Sequence, residues 1–352
     1  MSDFKQQVEI AGRRIGPGMP PYVIAEISGN HNQEIARAFA IMEAAARAGA
    51  EAIKLQTYTP DTLTIDCDRP DFVIQTGLWA GRKLYDLYGE AYTPWEWHEA
   101  LFAKGRELGL SVFSTPFDET AVDFLEGLNA PAYKIASFEL VHMPLLRKVA
   151  ATGKPVILST GMADLAEIAE AVETLSDAGC RELILLHCIS AYPAPASDAN
   201  LRTIADLAQK FSLPVGLSDH TLGVGVPIAA VALGAAAIEK HVTLARADGG
   251  PDATFSLEPE ELATLVGGAR VAWEAIGTAN YERAASEADN SIFRRSIYAV
   301  RDIAAGEALS AQSIRVIRPG NGLAPRHFDQ LIGRRARVAI ARGTALRWDL
   351  VE

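Results

Sequence analysis

Short apolar runs alternate with helix-periodic stretches along most of this chain. Eight β-type runs are predicted as strands, at residues 22–27, 52–56, 111–114, 132–136, 155–159, 183–187, 215–218 and 237–241. Between most of them, apolar positions recur at helical spacing, as in residues 35–48, 119–128, 144–151, 165–177 and 201–211. Eight strands alternating with helices over about 250 residues predict a (β/α)₈ TIM barrel of the α/β class. A doubly wound open sheet is the alternative, but no GxGxxG motif follows the first strand.

The segments outside this rhythm predict the domain organisation. Residues 7–15 alternate around a glycine and predict a small β-hairpin before the barrel. A helix rich in Ala and Leu ends near residue 276, and the polar residues 277–290 are interpreted as a linker. From residue 291 to 352, short β runs and turn signals predict a second, β-rich domain. The barrel domain is therefore assigned to residues 1–276.

One predicted connection, residues 57–98, is unusually long and carries Trp79, Trp95 and Trp97. Connections of this length usually act as lids, binding loops or contact surfaces. A local cluster of aromatic side chains without any role in binding explains the same residues equally well. Both interpretations remain open from the sequence.

Composition limits the classes of partner. The chain has 352 residues, of which 49% are hydrophobic and 22% charged, and its formal net charge of −11 argues against nucleic acid or an anionic membrane as a partner. Its three cysteines show no pairing pattern, and residues 1–10 lack the apolar core of a signal peptide. The most apolar stretch, residues 224–238, is too short to span a bilayer. We therefore expect a cytoplasmic location.

Two histidines lie where a barrel places its chemistry. Residues 214–243 read as a β-α-β unit, so His220 and His241 follow the carboxyl ends of two predicted parallel strands. Two neutral imidazoles there can bind a divalent metal and leave positions open for substrate. The alternative is that both are structural histidines satisfied by hydrogen bonds. The carboxylates of Asp219 and Glu239 beside them favour a metal or catalytic pair.

Other polar residues follow the remaining predicted strands. Lys54 and Lys134 suit a phosphate or carboxylate, and Glu26 is a candidate acid, base or hydroxyl-binding group. The strand-end residues also include Gln56, Ser114, Thr115, Ser137, Ser159, Thr160, His187, Ser190, Ser218 and Lys240. Together they predict a metal-dependent barrel enzyme that acts on a small anionic substrate.

Several motifs resemble the sialic acid synthase family. They are AEISGNHN at residues 25–32, IKLQT at 53–57, FSTPF at 113–117, YKIAS at 133–137, LSTGM at 158–162, GLSDHT at 216–221 and EKHVT at 239–243. The segments RRSIY and RPGNGL after residue 293 resemble the antifreeze-like (SAF) domain of that family. Within the family, QTYTPDTLT, EAYTPWEWH and GGPDATFSLEPE most resemble the pseudaminic acid synthase subgroup.

The resemblance implies a reaction and its partners. The family condenses phosphoenolpyruvate with an N-acetylated amino sugar and releases phosphate by C–O cleavage. For the pseudaminic acid subgroup the sugar is 2,4-diacetamido-2,4,6-trideoxy-altrose. N-acetylneuraminate or legionaminate synthesis, from another N-acetylated amino sugar, remains an alternative. A third hypothesis is a catalytically silent barrel whose SAF domain binds carbohydrate.

The resemblance also implies roles for individual residues. His220 and His241 resemble metal ligands, usually for Mn²⁺, Mg²⁺ or Co²⁺. The phosphoenolpyruvate site is implied at Lys54, Thr115, Lys134, Ser137, Ser159 and Ser218, and the sugar site at Glu26, Gln56, Glu139, Tyr192 and Asp252. Arg318 is the contribution of the SAF domain, which in the family reaches the partner's barrel, so a domain-swapped homodimer is implied. Ser190 stands where neuraminic acid synthases carry a phosphate-contacting Asn.

Overall fold

The computed structural model describes residues 4–352, and the chain divides at Gly277 into two compact units. Residues 1–3, which begin the predicted barrel domain and its polar N-terminus, lie outside the described residues. Along residues 4–352, no helix is both long enough and apolar enough to cross a membrane.

The first unit is the predicted barrel. Its eight strands pair in parallel and close in the order β10-β3-β4-β5-β6-β7-β8-β9, which excludes an open doubly wound sheet. They are β3 (Tyr22–Glu26), β4 (Ala52–Thr57), β5 (Ser111–Pro116), β6 (Tyr133–Ile135), β7 (Val156–Ser159), β8 (Leu183–Cys188), β9 (Val215–Asp219) and β10 (Ala237–His241). Each strand overlaps its predicted range. In the closing pair, His241 lies opposite Glu26, so these two residues are neighbours at the same end of the barrel.

Helices surround the barrel, and several of them begin and end at residues that cap the helix backbone. Asp118 and Asp164 accept hydrogen bonds from backbone N–H groups at the first turns of two helices. Gly49 and Gly109 end two others in the left-handed conformation, with φ of 88° and 71°. The helices of this unit are α1 (Ile35–Ala48), α2 (Pro60–Leu63), α3 (Leu84–Ala91), α4 (His98–Leu108), α5 (Glu119–Gly127), α6 (Met143–Ala150), α7 (Leu165–Asp177), α8 (Arg202–Phe211), α9 (Gly225–Ala232) and α10 (Pro259–Ile276).

The predicted N-terminal hairpin is confirmed and covers the amino ends of the strands. Its two strands, β1 (Val8–Ile10) and β2 (Arg13–Ile15), pair antiparallel. Their inward side chains Val8, Ile10 and Ile15 belong to one buried apolar cluster with interior barrel residues such as Tyr22 and Ala52. Because the hairpin and this cluster fill the amino end, the polar strand ends at the opposite side form the opening.

The long connection between β4 and α4, residues 58–97, contains α2, α3 and two short 3₁₀ turns. We call it the β4–α4 segment. Its two ends are held together, because Thr57 Oγ1 lies 2.8 Å from His98 Nε2 and His98 Nδ1 lies 3.2 Å from the Pro94 carbonyl. Nearby, Thr93 Oγ1 lies 3.4 Å from His31 Nε2.

We expect the two buried histidines at this anchor to make the fold acid-sensitive. Burial lowers the pKa of His31 and of His98 to about 4, below the value of about 6.5 in an unfolded chain. Between these pH values the unfolded chain binds more protons than the native one, so the free energy of unfolding falls as pH falls from about 6.5 towards 4. Each histidine contributes up to about 3 kcal/mol to this loss.

The measurement is the urea midpoint between pH 7 and pH 4.5. His98→Phe should flatten its pH dependence, because the unfolded variant has one histidine fewer that takes up a proton the native fold excludes. His142→Phe, at a half-buried histidine of the same unit, is the matched control and should change the pH dependence less than His98→Phe does. Equal slopes for wild type and His98→Phe would contradict this account.

The second unit has its own small core. Strands β11 (Ser296–Ala299) and β12 (Ile314–Ile317) pair antiparallel, and a short helix, α11 (Phe328–Leu331), follows. Ile297, Ile314, Leu331 and Leu346 lie in a buried cluster separate from the barrel core. Residues 277–290, interpreted as a linker, are exposed throughout, and 3₁₀ turns begin at Ala285.

Candidate active site

A cavity of about 390 Å³ opens at the carboxyl ends of the barrel strands. The structure brings most of the expected site residues into its lining: Lys54, Gln56, Lys134, Ser137, Glu139, Ser159, Tyr192, Ser218, His220, His241 and Asp252. Glu26, Thr115 and Ser190 do not line it but contact or adjoin residues that do. A single cavity thus receives side chains from six of the eight barrel strands.

The floor of the cavity is a buried cluster of two lysines and two carboxylates. Lys54 Nζ lies 2.6 Å from Glu26 Oε2 and 3.6 Å from Glu239 Oε1. Lys134 Nζ lies 3.4 Å from the same Glu239 oxygen and donates to Ser159 Oγ at 2.7 Å. Oε1 of Glu26 and Oε2 of Glu239 have no hydrogen-bond partner among the described residues. The cluster therefore keeps unused hydrogen-bonding capacity.

Burial shifts the pKa values of this cluster in a way that suits anion binding and proton transfer. Burial raises the pKa of Glu26 to about 7, although Lys54 opposes the shift. Burial also acts to lower the pKa of Lys54, but the carboxylates of Glu239 and Glu26 outweigh it and raise that pKa. For Lys134 burial prevails and lowers the pKa. Glu26 can therefore hold or release a proton near neutral pH.

Glu239, which the sequence indicated only as a carboxylate beside the two histidines, lies at the centre of this cluster. It accepts from Ser218 Oγ at 3.2 Å and lies between both lysines. The signal was its position two residues before His241, because alternate residues of a strand face the same side. The structure also corrects the expectation for Asp219 and Lys240, which do not line the cavity. They form a buried ion pair of 2.5 Å, on the other side of their strands.

A second group of polar atoms forms a cradle around Gly161. Its backbone N–H donates to Ser137 Oγ at 3.1 Å. A Cβ added to Gly161 would lie 2.3 Å from Ser190 Oγ, 2.7 Å from Ser137 Oγ and 3.2 Å from Cys188 Sγ. Ser190 Oγ and Ser137 Oγ therefore both lie close to Gly161, and a phosphate-binding role for Ser190 stays a prediction. One backbone N–H group and two hydroxyls lie close together here, and hydroxyls of this kind can donate hydrogen bonds to a phosphate.

We expect Gly161→Ala to weaken phosphoenolpyruvate binding by about 10-fold or more, the effect of losing one or two good hydrogen bonds. The new methyl group displaces the Ser137 and Ser190 hydroxyls from the cradle. The measurement is phosphoenolpyruvate KM at saturating sugar. Gly127→Ala, where an added Cβ meets nothing within 4 Å, is the control. An unchanged phosphoenolpyruvate KM in Gly161→Ala would rule out the cradle.

The two predicted metal ligands lie together at one side of the cavity. The ring centroids of His220 and His241 are 5.4 Å apart. His220 Nδ1 lies 3.0 Å from the Ile189 carbonyl, and His241 Nδ1 lies 3.2 Å from Ser28 Oγ. Neither Nε2 makes a hydrogen bond within residues 4–352. Partners at Nδ1 orient an imidazole so that its Nε2 can bind a metal.

The two Nε2 atoms fit a divalent ion that keeps most of its coordination positions for substrate or water. Burial holds the pKa of His241 well below its usual value, which favours the neutral form that a metal requires. For His220, burial acts to lower the pKa, but the contacts with Cys188 and the Ile189 carbonyl outweigh it and raise that pKa. Within the described part of the chain, no group of three or more His, Cys, Asp or Glu side chains gathers for a metal. The third strand-end histidine, His187, is not part of the pair. Its Nε2 lies 2.7 Å from the Ala199 carbonyl, as a structural histidine would.

Of the residues expected for the sugar, Glu139, Tyr192 and Asp252 also line the cavity, the last two beside the histidine pair. Burial raises the pKa of Glu139 to about 7, and its Oε2 atom has no partner within the described residues. Burial also raises the pKa of Asp252, whose Oδ2 lies 3.9 Å from His241 Nδ1. The Tyr192 ring lies 4.5 Å from that of His220. Arg318 belongs to the second unit, where its guanidinium lies 5.7 Å from the Phe293 ring.

Comparisons with known proteins extend over both units. The NeuB family model matches residues 41–281 and the SAF domain model matches residues 294–352. The chain is 42% identical over 326 residues to the pseudaminic acid synthase of Campylobacter jejuni strain 81-176, covering 93% of this chain and 95% of that protein. It is 36% identical to the N,N'-diacetyllegionaminic acid synthase of Legionella pneumophila, with 96% of each chain covered.

Among solved structures, the chain is similar to the N-acetylneuraminic acid synthetase of Leptospira borgpetersenii, with a TM-score of 0.73 and 33% identity. That match covers 81% of this chain and 95% of the other. A family model over more than half of the chain and relatives above 30% identity agree with the barrel fold. This chain therefore belongs to the NeuB family of nonulosonic acid synthases, transferases that condense phosphoenolpyruvate with amino sugars, and it carries their SAF domain.

Proposed function

We propose that this protein is a pseudaminic acid synthase. It would condense phosphoenolpyruvate with 2,4-diacetamido-2,4,6-trideoxy-altrose and water to give pseudaminic acid and phosphate. The observation that carries the reaction type is one cavity with two buried lysines on its floor and two imidazoles beside them. The choice of sugar is supported by the motifs of the pseudaminic acid subgroup and by similarity to the Campylobacter enzyme.

Lys54, Lys134 and the Gly161 cradle would hold the carboxylate and phosphate of phosphoenolpyruvate. Both ammonium groups are buried. Lys54 contacts two carboxylates and a hydroxyl, and Lys134 contacts one carboxylate and one hydroxyl. Fixed charges in a site that excludes water stabilise bound anions without reorganisation during the reaction. The same contacts fix the methylene carbon relative to the sugar aldehyde, which lowers the entropic cost of forming the bond.

The reaction balances with one water molecule. The methylene carbon of phosphoenolpyruvate bonds to the aldehyde carbon of the open-chain sugar, and water adds to the carbon that bears the phosphate. The C–O bond to phosphate then breaks and leaves a ketone. One water proton ends on the new hydroxyl group and the other on phosphate. Glu26, with a pKa of about 7, is placed to carry a proton between these positions.

We also propose that His220 and His241 hold a divalent metal, Mn²⁺, Mg²⁺ or Co²⁺. When bound, such an ion would polarise the aldehyde carbonyl as a Lewis acid. The fit rests on the two free Nε2 atoms and on the lowered pKa of His241. We place the reaction in the cytoplasm, a proposal supported by the three unpaired cysteines.

The experiment is phosphate release from phosphoenolpyruvate with a panel of amino sugars. The panel contains 2,4-diacetamido-2,4,6-trideoxy-altrose, the corresponding legionaminic acid precursor and N-acetylmannosamine. Release dependent on the altrose derivative, with pseudaminic acid as the product, supports the proposal. Preference for another sugar by kcat/KM would replace it by the legionaminate or neuraminate alternative. No release with any sugar would favour a silent barrel.

We further propose a homodimer in which Arg318 of one chain serves the barrel of its partner. The proposal is supported by the resemblance of residues 294–352 to the SAF domain and by the long exposed linker. Arg318→Ala and His220→Ala should each inactivate the enzyme. When the two variants are mixed, half of the dimers contain one chain of each kind. In such a dimer one of the two cavities has both an intact His220 and an intact Arg318 from its partner, so about a quarter of the wild-type rate should return. No recovery in verified mixed dimers would contradict contribution from the partner.

A further inference from the structure

The candidate cavity has two parts of unlike chemistry. The floor consists of the lysines, carboxylates and hydroxyls at the strand ends. Facing residues come from the β4–α4 segment, and most are apolar: Leu63, Ile74, Trp79, Leu84 and Leu87. We call these five residues the apolar wall. Because the segment leaves the barrel beyond the end of β4, its side chains lie farther from the floor than the strand-end residues do.

Contacts hold the apolar wall against the barrel loops. Trp79 Nε1 donates to the Pro251 carbonyl at 2.9 Å, and the Trp79 ring lies 5.5 Å from that of Tyr192. Leu87 is 6% exposed, so α3 is seated on the rest of the unit. The indole N–H is thus already occupied and is not available to a ligand.

Five charged side chains of the same segment pair with one another instead of lining the cavity. Lys83 Nζ lies 2.7 Å from Asp66 Oδ1 and 2.9 Å from Asp68 Oδ1. Arg82 lies 2.6 Å from Glu90. Within the described residues, no charged side chain of the segment is among those that line the cavity. The polar groups that the segment offers to a ligand are the phenols of Tyr58 and Tyr88.

The lack of charged side chains at the apolar wall determines which end group of a sugar can bind against it. The aldehyde carbon must react over the floor, so carbon 6 is the end of the sugar directed towards the apolar wall. A methyl group loses nothing in these surroundings and gains by leaving water. A hydroxymethyl group loses hydrogen bonds to water that the wall does not replace, and a phosphate in addition requires a cation.

We propose that the apolar wall determines specificity by accepting a 6-deoxy methyl group and rejecting 6-hydroxyl and 6-phosphate sugars. The inference rests on the proposed function, since it assumes an amino sugar whose aldehyde reacts at the floor. Apolar pockets discriminate against an added hydroxyl by roughly 10- to 100-fold. We expect a preference of this size in kcat/KM for the 6-deoxy sugar, and no measurable use of the 6-phosphate.

The test uses matched sugars that differ only at carbon 6, in the altrose series and in the mannosamine series. Ile74→Asn and Leu84→Asn give the wall an amide that can hydrogen-bond to a hydroxyl. Ile65→Asn and Leu78→Asn make the same changes in the same segment, at exposed side chains that do not line the cavity. The ratio of kcat/KM for 6-deoxy and 6-hydroxyl sugars is measured on one preparation, so a partly unfolded sample does not alter it.

The wild type and both controls should prefer the 6-deoxy sugar. In both wall variants the ratio of kcat/KM for 6-deoxy and 6-hydroxyl sugars should fall by at least about 10-fold, while KM for phosphoenolpyruvate stays unchanged. An equal or reversed preference in the wild type, or the same ratio in wall variants and controls, would overturn the inference. Turnover confined to the mannosamine series would refute the proposed sugar while still testing the wall at carbon 6. No turnover in either series would refute both.

Discussion

Lys134→Met is expected to weaken phosphoenolpyruvate binding by about 2–4 kcal/mol, or roughly 30- to 1000-fold in Kd. The ammonium group is 2% exposed on the cavity floor, where it lies 2.7 Å from Ser159 Oγ and 3.4 Å from Glu239. A buried phosphate or carboxylate that loses this cation keeps its charge without compensation. Binding is best measured directly by calorimetry with phosphoenolpyruvate alone, so that a change in kcat cannot disguise the result.

The stability of this variant separates binding from folding. Burial lowers the pKa of Lys134, so keeping its ammonium group charged at this place lowers the free energy of unfolding. Glu239 retains Lys54 and Ser218 as partners after the substitution. We therefore expect a nearly unchanged Tm. Lys154→Met, which removes a lysine paired with Glu126 outside the cavity, is the control and should bind phosphoenolpyruvate normally. Unchanged affinity in Lys134→Met would remove Lys134 from the site.

Lys54→Met tests the same binding function at a different structural cost. Lys54 is the partner of Glu26, whose oxygens are otherwise without hydrogen bonds in the described residues. Removing one member of a buried pair leaves the other charge unpaired, or forces it to take up a proton. Lys54→Met and Lys134→Met should thus lose similar affinity for phosphoenolpyruvate. Lys54→Met should lose more stability, because it leaves Glu26 without its partner.

The barrel could be predicted because its signal repeats. Eight apolar runs, separated by helix-periodic segments, admit few arrangements, and each run matched a strand of the closed barrel. The hairpin could be predicted equally well, because Val8, Ile10 and Ile15 are buried while Glu9 and Arg14 are exposed. Period-two alternation with one apolar face is the signature of a half-buried strand.

The candidate site was predictable as a set of residues but not as a set of contacts. Strand-end position selects residues near the opening, yet consecutive residues of a strand face opposite sides. For this reason Lys240 pairs with Asp219 behind the strands, although its neighbours Glu239 and His241 line the cavity. Applying the alternation to β10 would have separated these three residues from the sequence alone.

Other features depend on loops whose paths no periodicity encodes. The approach of Ser137 and Ser190 to Gly161 joins the connections that follow three different strands. The apolar wall depends on how residues 58–97 fold back over the opening, for which the sequence left a lid and a local aromatic cluster equally open. The structure shows that this segment lines the cavity and is held by the contact between Trp79 and Pro251.

His220→Ala and His241→Ala should each abolish turnover, with a loss well beyond the 10- to 100-fold that follows when only the partners of metal-bound residues are changed. Each substitution removes one of the two free Nε2 atoms that support the proposed metal. Mn²⁺ binding without substrate, followed by calorimetry or electron paramagnetic resonance, should weaken in parallel. Chelation should inactivate the wild type, and Mn²⁺, Mg²⁺ or Co²⁺ should restore it.

His187→Ala provides the matched control, because His187 is also a buried strand-end histidine but directs its Nε2 to the Ala199 carbonyl. That variant should lose stability and keep its affinity for Mn²⁺. The two site variants should show the reverse, since the Nδ1 atoms of His220 and His241 contact Ile189 and Ser28, which follow the ends of their strands. Full activity after exhaustive chelation would remove the metal from the proposed reaction. Undiminished Mn²⁺ affinity in both site variants would mean that the ion binds elsewhere, and the imidazoles would then have to act on the substrates directly.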